Sequence, residues 1–358
     1  MKKVLAMLLA VVMVFALCAC GSSSSTTTAA APAAESTEAA STEATTEAAA
    51  ESTDKVGATV LKVAFNQSAT NPECATLEKI SDDLYDATEG RYSLEVYPDA
   101  SLGDQAQTLE LVTSGALDMT LVGNAVVESY VSDFAIIGTP YVYDDEEHCE
   151  RVFESDALDT LLAETQEHGF TVLSVYSLGA RNLYTKEPVT NPEELAGKKI
   201  RVMGSDTCVQ MMNDMGGTGI TMAQGDVYSA IQTGTIDGAE NNIITYVDLV
   251  QYEVAPYYNY SYHLMVPDHL CINNNVLAAM GDDAAILEQL CKESMPYAYD
   301  LIQSLHAEYQ AKAEAQGVTF SETDVSAFQE LCAGLINDVA SRNEVTQAVY
   351  DSIVALRE

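Results

Sequence analysis

Strand and helix periodicities alternate in the first half of the folded chain. The segment TVLKVAFNQ, starting at Thr59, shows the apolar and polar alternation of a β-strand. Asn71 and Pro72 then form an N-cap and a first helical turn ahead of apolar residues at helical spacing. RYSLEVYP predicts a second strand, residues 105–114 a second helix and ALDMTLVGN a third strand. This order predicts an α/β unit with a largely parallel sheet.

The same order returns in the second half of the chain. NPEEL predicts a short helix, and KKIRVMG predicts a strand. Ser205 is placed to cap a helix that ends at Gly216-Gly217, TGITMA predicts another strand, and residues 226–233 predict another helix. From residue 282 onward the pattern is mostly helical, apart from the short strand VTF. We therefore expect a second α/β unit followed by C-terminal helices.

One short pattern occurs in both units. VTSGALD at 112–118 and IQTGTID at 231–237 each combine the end of a helix, a Gly, a small residue, an aliphatic residue and an Asp. Glycine ends a helix readily because it adopts a left-handed conformation. The pattern has two interpretations. It is either a common tight helix-to-strand connection, or the mark of two similar domains that face each other across a cleft.

The N-terminal region predicts export. Residues 1–19 contain two Lys followed by an apolar run of signal-peptide length, and the sequence LCAC around Cys20 resembles a bacterial lipobox. We expect cleavage before Cys20 and lipidation of its thiol, with an ordinary secretory signal as the alternative. Residues 20–57 are dominated by Ser, Thr, Ala and Glu, a composition typical of a disordered tether.

The charge of the chain restricts its partners. There are 16 Lys and Arg residues against 54 Asp and Glu residues, which gives a formal net charge of −38. Such a chain is unsuited to nucleic acid or to an anionic lipid surface. An anionic ligand would need a local cluster of positive charge to overcome the repulsion from the net negative charge of the chain.

The sequence contains few signs of catalysis. It has no nucleophile elbow, zinc-protease motif, phosphate-binding glycine loop or CxxC pair. The acidic run DDEEHCE fits a solvated helix start better than a cation site. Six Cys lie beyond the signal region at wide intervals and are either buried thiols or disulfide partners. We therefore expect no enzyme activity, no cofactor and no metal.

Two of the scarce Arg residues occupy unusual positions. Arg181 follows an apolar strand, and Arg201 lies within KKIRVMG, where alternation places it on the face opposite Ile200 and Val202. A guanidinium at the carboxyl end of a strand suits a carboxylate, because it offers two parallel N–H donors. The alternative is a structural salt bridge to one of the many acidic residues.

Several longer segments, taken together, resemble one known family, the DctP-type solute-binding proteins of TRAP (tripartite ATP-independent periplasmic) transporters. The matching segments are YPDASLGDQAQTLELVTSGALDMTLV at 97–122, PYVY at 140–143, ARN at 180–182, EELAGKKIRVMGS at 193–205, DVYSAIQTGTIDGAENN at 226–242 and YEVAPYY at 252–258.

The resemblance implies a fold and a task. The fold is a two-lobed α/β periplasmic-binding-protein fold, type II-like, with hinge strands and a long bracing helix. Lobe I would comprise residues 58–178 plus about 267–306, and lobe II residues 179–266 plus about 307–358 with the C-terminal helices. The task is to capture a small organic acid, as a monomer, and to deliver it to the small and large TRAP membrane subunits. A similar binding protein of an ABC transporter or a sensor is the alternative.

The resemblance also assigns residues to the site. Arg201 matches the Arg that pairs with the ligand carboxylate, and Arg181 matches a second Arg often found there. Asn241 matches an amide that contacts the carboxylate from the opposite side. Asn66 and the pair Gly123-Asn124 match first-lobe positions that line the cleft.

Three positions depart from the family pattern. Gln224 stands where an aromatic residue beside the ligand is usual, and Asp226 replaces a Glu. Gly123 stands where sialic-acid-binding members carry an acid. These departures favour a polar or hydroxylated acid as ligand and disfavour sialic acid.

Overall fold

The computed structural model describes residues 55–357. The expected signal peptide, Cys20 and the tether up to residue 54 lie outside the described residues. Strands occur at β1 Thr59–Phe65, β2 Tyr92–Tyr97, β3 Met119–Gly123, β4 Phe170–Tyr176, β5 Arg181–Thr185, β6 Lys199–Val202, β7 Thr218–Thr221, β8 Gly238–Asn241, β9 Tyr257–Leu264, β10 Asp268–Asn273 and β11 Thr319–Glu322.

Helices connect and cover these strands. They are α1 Pro72–Ala87, α2 Gln105–Ser114, α3 Asn124–Glu128, α4 Glu146–Glu154, α5 Asp159–Ala163, α6 Pro192–Leu195, α7 Asp206–Asp214, α8 Val227–Thr233, α9 Ile243–Asp248, α10 Asn274–Ala279, α11 Asp283–Ala315, α12 Val325–Ala340 and α13 Glu344–Ala355. Short 3-10 helices occur at Ser132–Gly138, Glu164–His168, Gln224–Asp226 and Gln251–Glu253. Among residues 55–357, no helix has both the length and the apolar character required to cross a bilayer.

The strands form two sheets. The first has the order β2-β1-β3-β10-β4, and the second has the order β11-β9-β5-β8-β6-β7. The predicted parallel units are present, since β1 pairs in parallel with β2 and β3, and β6 pairs in parallel with β7 and β8. However, β10 and β5 each run antiparallel to both of their neighbours, so both sheets are mixed. The prediction of largely parallel sheets holds for the α/β units and is wrong for these two added strands.

The antiparallel strands lie where the chain passes between the sheets. The chain leaves the first sheet at the end of β4 and enters the second at β5, through residues 177–180. It returns from β9 to β10 through residues 265–267. The 33-residue helix α11 contacts α1 and β4 on the first side and α9 on the second. Apolar residues of β1, α1 and α11 pack into one core cluster, so α11 is anchored by burial.

The repeated Gly-x-aliphatic-Asp pattern forms the same structure twice. Gly115 and Gly234 end α2 and α8 in the left-handed conformation, with φ of 77° and 76°. Asp118 then accepts the backbone N–H of Lys62 at 2.9 Å, and Asp237 accepts that of Lys199 at 2.8 Å. In each unit the Asp therefore fixes the new strand to its parallel neighbour, which favours the interpretation of two similar domains.

Other local predictions from the sequence are confirmed. The Asn71 and Ser205 side chains accept backbone N–H groups at the starts of α1 and α7. The acidic run begins α4, with Asp145 as its N-cap. All six cysteines in the described part of the chain are buried free thiols, which resolves the alternatives in favour of thiols.

Gly238 is required for the close approach of β8 to β5. A Cβ at this position would meet the Tyr184 carbonyl oxygen and would lie 2.9 Å from Thr185 Cα. These are backbone atoms of a buried strand and cannot move aside cheaply. The register of β8, which places its last residues at the site, therefore requires a glycine at position 238.

We expect Gly238→Ala to lower the free energy of unfolding by about 1–3 kcal/mol, because overpacking strains the β5–β8 pair. Gly334 in α12 is the matched control, since it is exposed and a Cβ there meets no atom within 4 Å. Gly334→Ala should raise stability by about 0.5–1 kcal/mol through helix propensity. Urea unfolding of both variants measures the two shifts, and equal shifts would contradict the close-approach argument.

Candidate functional site

A cavity of about 410 Å³ lies between residues of both sheets. Its polar lining comes from loops and strand ends distant in sequence, as expected for the carboxyl ends of strands in an α/β fold. From the first sheet and its helices come Asn66, Gln67, Asp104, Gln105 and Gly123, from the second come Arg181, Arg201, Gln224 and Asn241, and from the start of β10 comes Asp268.

A larger depression of about 830 Å³ adjoins this cavity and shares Ala125, Ser129 and Gly204 with it. Glu128 and three Asp residues line its walls, and Arg342 is the sole Lys or Arg among its lining residues. An acidic, open groove of this kind is poorly suited to an anion. We therefore regard the smaller cavity, which is lined by two buried Arg residues, as the candidate site.

Arg201 is a buried cation without a carboxylate partner. It is 5% exposed, and its guanidinium donates through Nε and Nη2 to the Met222 carbonyl oxygen at 3.0 and 2.9 Å, and through Nη1 to Gln224 Oε1 at 3.2 Å. Within residues 55–357 no Asp or Glu lies within ion-pair distance of it. Burial lowers the pKa of this guanidinium below its ordinary value, although nearby Glu240 opposes the shift. Two of its five N–H groups remain for a ligand.

Arg181 is also buried, but its charge is compensated. Its Nε and Nη2 donate to the two Glu240 carboxylate oxygens at 2.5 and 2.9 Å, and Nη1 donates to Asn241 Oδ1 at 2.6 Å. Burial alone would lower the pKa of Arg181, and the Glu240 carboxylate raises it above the ordinary value. The salt-bridge interpretation is therefore right for Arg181, and Glu240 orients this arginine.

Glu240 is completely buried within this pair. Burial alone would raise the pKa of its carboxyl group, but Arg181 and His263, whose Nε2 lies 3.5 Å from Glu240 Oε2, lower it to about 2. The carboxylate thus stays ionised and fixes Arg181, which in turn holds Asn241. This pair forms a rigid wall of the site.

Amide groups connect the two arginines. Asn241 Nδ2 donates to Gln224 Oε1 at 3.3 Å, the same oxygen that accepts from Arg201. Gln224 Nε2 is buried and has no hydrogen-bond partner among the described residues. An unpaired buried amide is costly, so this N–H group is available to a ligand acceptor in the cavity.

The first sheet contributes a second set of amides. Gln105 Nε2 donates to Asn66 Oδ1 at 2.9 Å, and Gln105 Oε1 accepts the Gly123 N–H at 3.2 Å. Gln105 is the first residue of α2, directly after its N-cap Asp104. These contacts hold Asn66 at the cavity wall opposite the second sheet.

Of the six predicted ligand-binding residues, the structure brings five to the cavity: Asn66, Arg181, Arg201, Gln224 and Asn241. Asn124 is not among the lining residues. Its Nδ2 donates to the Phe134 carbonyl oxygen at 2.9 Å and its Oδ1 lies 3.0 Å from His269 Nε2, so its amide is satisfied within the core. The neighbouring Gly123 lines the cavity instead.

Sequence reasoning did not identify Gln105 or Asp268. Gln105 falls in a segment whose pattern indicates only a helix start, and Asp268 begins a strand in a run without a recognisable binding motif. The repeated turn offered one signal, because one of its two interpretations was a pair of similar domains that face each other across a cleft. It did not show which helix starts and returning strands fill the space between them.

We expect Glu240→Gln to destabilise the protein by about 3–5 kcal/mol at neutral pH, because Arg181 is left buried without its counter-charge. The folded pKa of Glu240, about 2, lies below the ordinary value of 4.5. Its stabilising contribution is therefore complete above about pH 4.5 and is lost as the pH falls toward 2. Unfolding measured between pH 2 and 7 should show this loss in the wild type and not in the variant.

Glu187→Gln is the matched control, because Glu187 pairs with Lys198 at the surface with its side chain 76% exposed. Its effect should stay below about 1 kcal/mol. Parallel pH profiles for wild type and Glu240→Gln would contradict the assigned role of Glu240.

Comparison with known proteins identifies the family of the chain. Residues 63–343 match bacterial extracellular solute-binding protein, family 7 (DctP). A solute-binding protein from Chromohalobacter salexigens is 37% identical over 202 residues, which span 56% of this chain and 60% of that protein.

Solved structures extend the similarity to the whole fold. A TRAP periplasmic solute-binding protein from Anaerococcus prevotii with bound D-glucuronate is 32% identical, with a TM-score of 0.80, and the match covers 83% of this chain and 98% of that one. One from Xanthobacter autotrophicus with bound β-D-galacturonate is 30% identical, with a TM-score of 0.80, covering 83% and 100% of the two chains. Both are TRAP periplasmic solute-binding proteins. The chain therefore belongs to the DctP family of extracytoplasmic solute-binding proteins.

Proposed function

We propose that this protein binds a hexuronic acid, such as D-glucuronate or D-galacturonate, in the cavity between its two lobes, and that Arg201 pairs with the carboxylate. Arg201 carries the proposal, since it is buried, lines the cavity and has no carboxylate partner among residues 55–357. A buried charge without a partner is costly, and a ligand carboxylate removes that cost by supplying the counter-charge.

The neighbouring groups support a carboxylate at this position. Arg181 has its charge neutralised by Glu240, so it contributes a fixed donor wall rather than a competing anion site. Asn241 Nδ2 and Gln224 Nε2 are additional N–H groups close to Arg201. Several N–H donors around one buried cation favour a bidentate carboxylate in a water-poor site.

The remainder of the cavity favours a hydroxylated ligand. Its volume, about 410 Å³, suits a small molecule, and Asn66, Gln67 and Gln105 face it from the first lobe. Amide groups both donate and accept hydrogen bonds, which matches sugar hydroxyls. The bound uronates in the two solved relatives support the same ligand class.

Delivery to a TRAP permease and anchoring through Cys20 complete the proposal. The family match supports delivery to the small and large membrane subunits. We propose that the protein acts as a monomer. The lipobox-like LCAC and the following tether support acylation of Cys20, which lies outside the described residues. A tether of this composition would let the lobes reach the permease while one end stays at the membrane.

We expect Arg201→Met to weaken D-glucuronate or D-galacturonate binding at least about 100-fold, or about 3 kcal/mol, because the ligand carboxylate loses its buried partner. Isothermal titration calorimetry measures the loss. The ligand affinity of Arg201→Lys should fall between those of the wild type and Arg201→Met, because an ammonium group restores the charge without the planar pair of donors.

Arg181→Met serves as the structural comparison. It leaves Glu240 buried without a partner and should lower the melting temperature, whereas Arg201→Met should keep or raise it. Arg91→Met is the surface control, because Arg91 is half-exposed in its pair with Asp283 and lies outside the cavity. Wild-type affinity in Arg201→Met would overturn the assignment of the carboxylate site.

We expect Cys20→Ala to abolish acylation and to release the protein from the membrane fraction of cells that express it. Methylenes of an acyl chain contribute about 0.8 kcal/mol each on burial, so loss of the chains removes the anchor. Labelling with a fatty-acid analogue and fractionation measure both effects, with Cys18→Ala as the control. Equal labelling of Cys20→Ala and wild type would contradict the anchor.

A further inference from the structure

Asp268 is a carboxylate that lines the ligand cavity without an assigned role. It begins β10, at the point where the chain re-enters the first sheet, and it is paired with Gly123 on β3. It is partly exposed to the cavity. An acid in a site that binds an acid requires an explanation, because two like charges in a water-poor space repel.

Glu73 supports Asp268 from behind. Glu73 lies in the first turn of α1 and is 1% exposed, and the two side chains hydrogen-bond to each other. Two adjoining carboxyl groups that share a hydrogen bond hold a proton between them. Glu73 Oε1 has no hydrogen-bond partner among residues 55–357. The interaction with Asp268 therefore matters to the buried Glu73 carboxyl group.

The environment indicates which of the two carries the proton. Burial and the Asp268 charge raise the pKa of Glu73 well above its ordinary value. Burial raises the pKa of Asp268 to about 6, with Arg181 and the hydrogen bond from Glu73 opposing the rise. Near neutral pH, Glu73 is therefore the protonated donor and Asp268 the acceptor. Asp268 retains further lone pairs that point to the cavity.

Gly123 keeps this carboxylate accessible. A Cβ at position 123 would lie 3.2 Å from Asp268 Oδ1 and 3.4 Å from Gln105 Oε1. A side chain at position 123 would therefore crowd the Asp268 carboxylate. The glycine at position 123 thus leaves the space that the Asp268 carboxylate needs at the cavity.

Resting on the function proposed above, we infer that Asp268 determines ligand specificity by accepting hydrogen bonds from hydroxyl groups of the acid bound at Arg201. An acid that brings a second carboxylate next to Asp268 is rejected by the same group. Glu73 acts as a positioning residue, and Gly123 provides access.

The opposite charges of two residues that line the cavity support this assignment. Arg201 supplies an uncompensated positive charge for one carboxylate, and Asp268 supplies a negative acceptor that hydroxyls satisfy by donating. A second carboxylate has no proton to donate and would face Asp268 with like charge. A site built to hydrogen-bond a hydroxyl can reject an analogue lacking it strongly, because its buried polar group is left unpaired. Discrimination therefore comes from repulsion as well as from attraction.

Calorimetry on wild type, Asp268→Ala and Asp268→Asn tests the inference with four acids: D-glucuronate, D-galacturonate, the hydroxylated monoacid D-gluconate and the dicarboxylate D-glucarate. We expect the wild type to prefer the monoacids. Asp268→Ala should lose at least about tenfold in affinity for them. Asp268→Asn removes the charge and keeps one acceptor. It should lower the ratio of monoacid affinity to D-glucarate affinity at least about tenfold.

Two further variants separate a specific role from general damage to the fold. Gly123→Ala should weaken monoacid binding while thermal unfolding shows a folded protein, because the added Cβ shields Asp268. Glu110→Gln is the control, since Glu110 is exposed on α2 and outside the cavity, and it should match the wild type.

The outcomes separate this inference from the proposed function. An unchanged ratio of monoacid to D-glucarate affinity in Asp268→Asn, or unchanged monoacid binding in Asp268→Ala, overturns the role of Asp268 and leaves Arg201 untouched. A wild type that binds D-gluconate and no uronate contradicts the uronate proposal. In that case the ratio of D-gluconate to D-glucarate affinity in Asp268→Asn decides the role of Asp268. A wild type that prefers D-glucarate, or that binds none of the four acids, overturns both.

Discussion

The burial of two guanidinium groups in one small space is the constraint on which the site depends. A buried cation is tolerated when a carboxylate accompanies it, and Glu240 fills this role for Arg181. For Arg201 the described chain provides a carbonyl oxygen and an amide oxygen, which are dipoles and not charges. The fold therefore neutralises Arg181 and leaves Arg201 without a counter-charge among the described residues. This difference depends on the register of β8, which carries Glu240. That register requires Gly238, because only a residue without a side chain lets β8 approach β5 closely enough to deliver Glu240 and Asn241.

The repeated turn explains why the cavity lies between the two lobes. Asp118 and Asp237 bind the same kind of strand N–H group in the two units, so β3 and β8 leave equivalent turns in equivalent directions. The turn itself is scaffold, and the functional difference begins where each strand ends. β3 ends in Gly123, which leaves space in front of Asp268, whereas β8 ends in Asn241, which fills space beside Arg201. The first sheet thus provides space and a hydrogen-bond acceptor, and the second sheet provides hydrogen-bond donors.

Local features of the fold followed from the sequence because they depend on neighbouring residues. Caps such as Asn71 and Ser205 and stops such as Gly115 are set within a few residues of the chain, and both of the informative arginines were recognised because basic residues are rare. The antiparallel entry of β10 was not predictable, since strand direction there is set by the return of the chain between sheets. The family resemblance placed Asn124 in the cleft, whereas its amide is satisfied by Phe134 and His269. Side-chain direction at the end of a strand depends on what packs behind it.

The acidity of the protein and its preference for an anion are compatible because they act at different distances. Most of the net charge of −38 cannot adjoin the cavity, and at physiological ionic strength exposed charges beyond about 8 Å are largely screened. At a contact of about 4 Å in an environment of intermediate dielectric, one unit pair interacts by about 4 kcal/mol. Arg201 therefore dominates once a carboxylate has entered, while the outer field slows the approach of every anion. Because that outer field acts on all acids in proportion to their charge, it disfavours a dianion more than a monoanion. The inferred role of Asp268 gives the same preference within the cavity, so surface charge and site chemistry both favour a monoanion over a dianion.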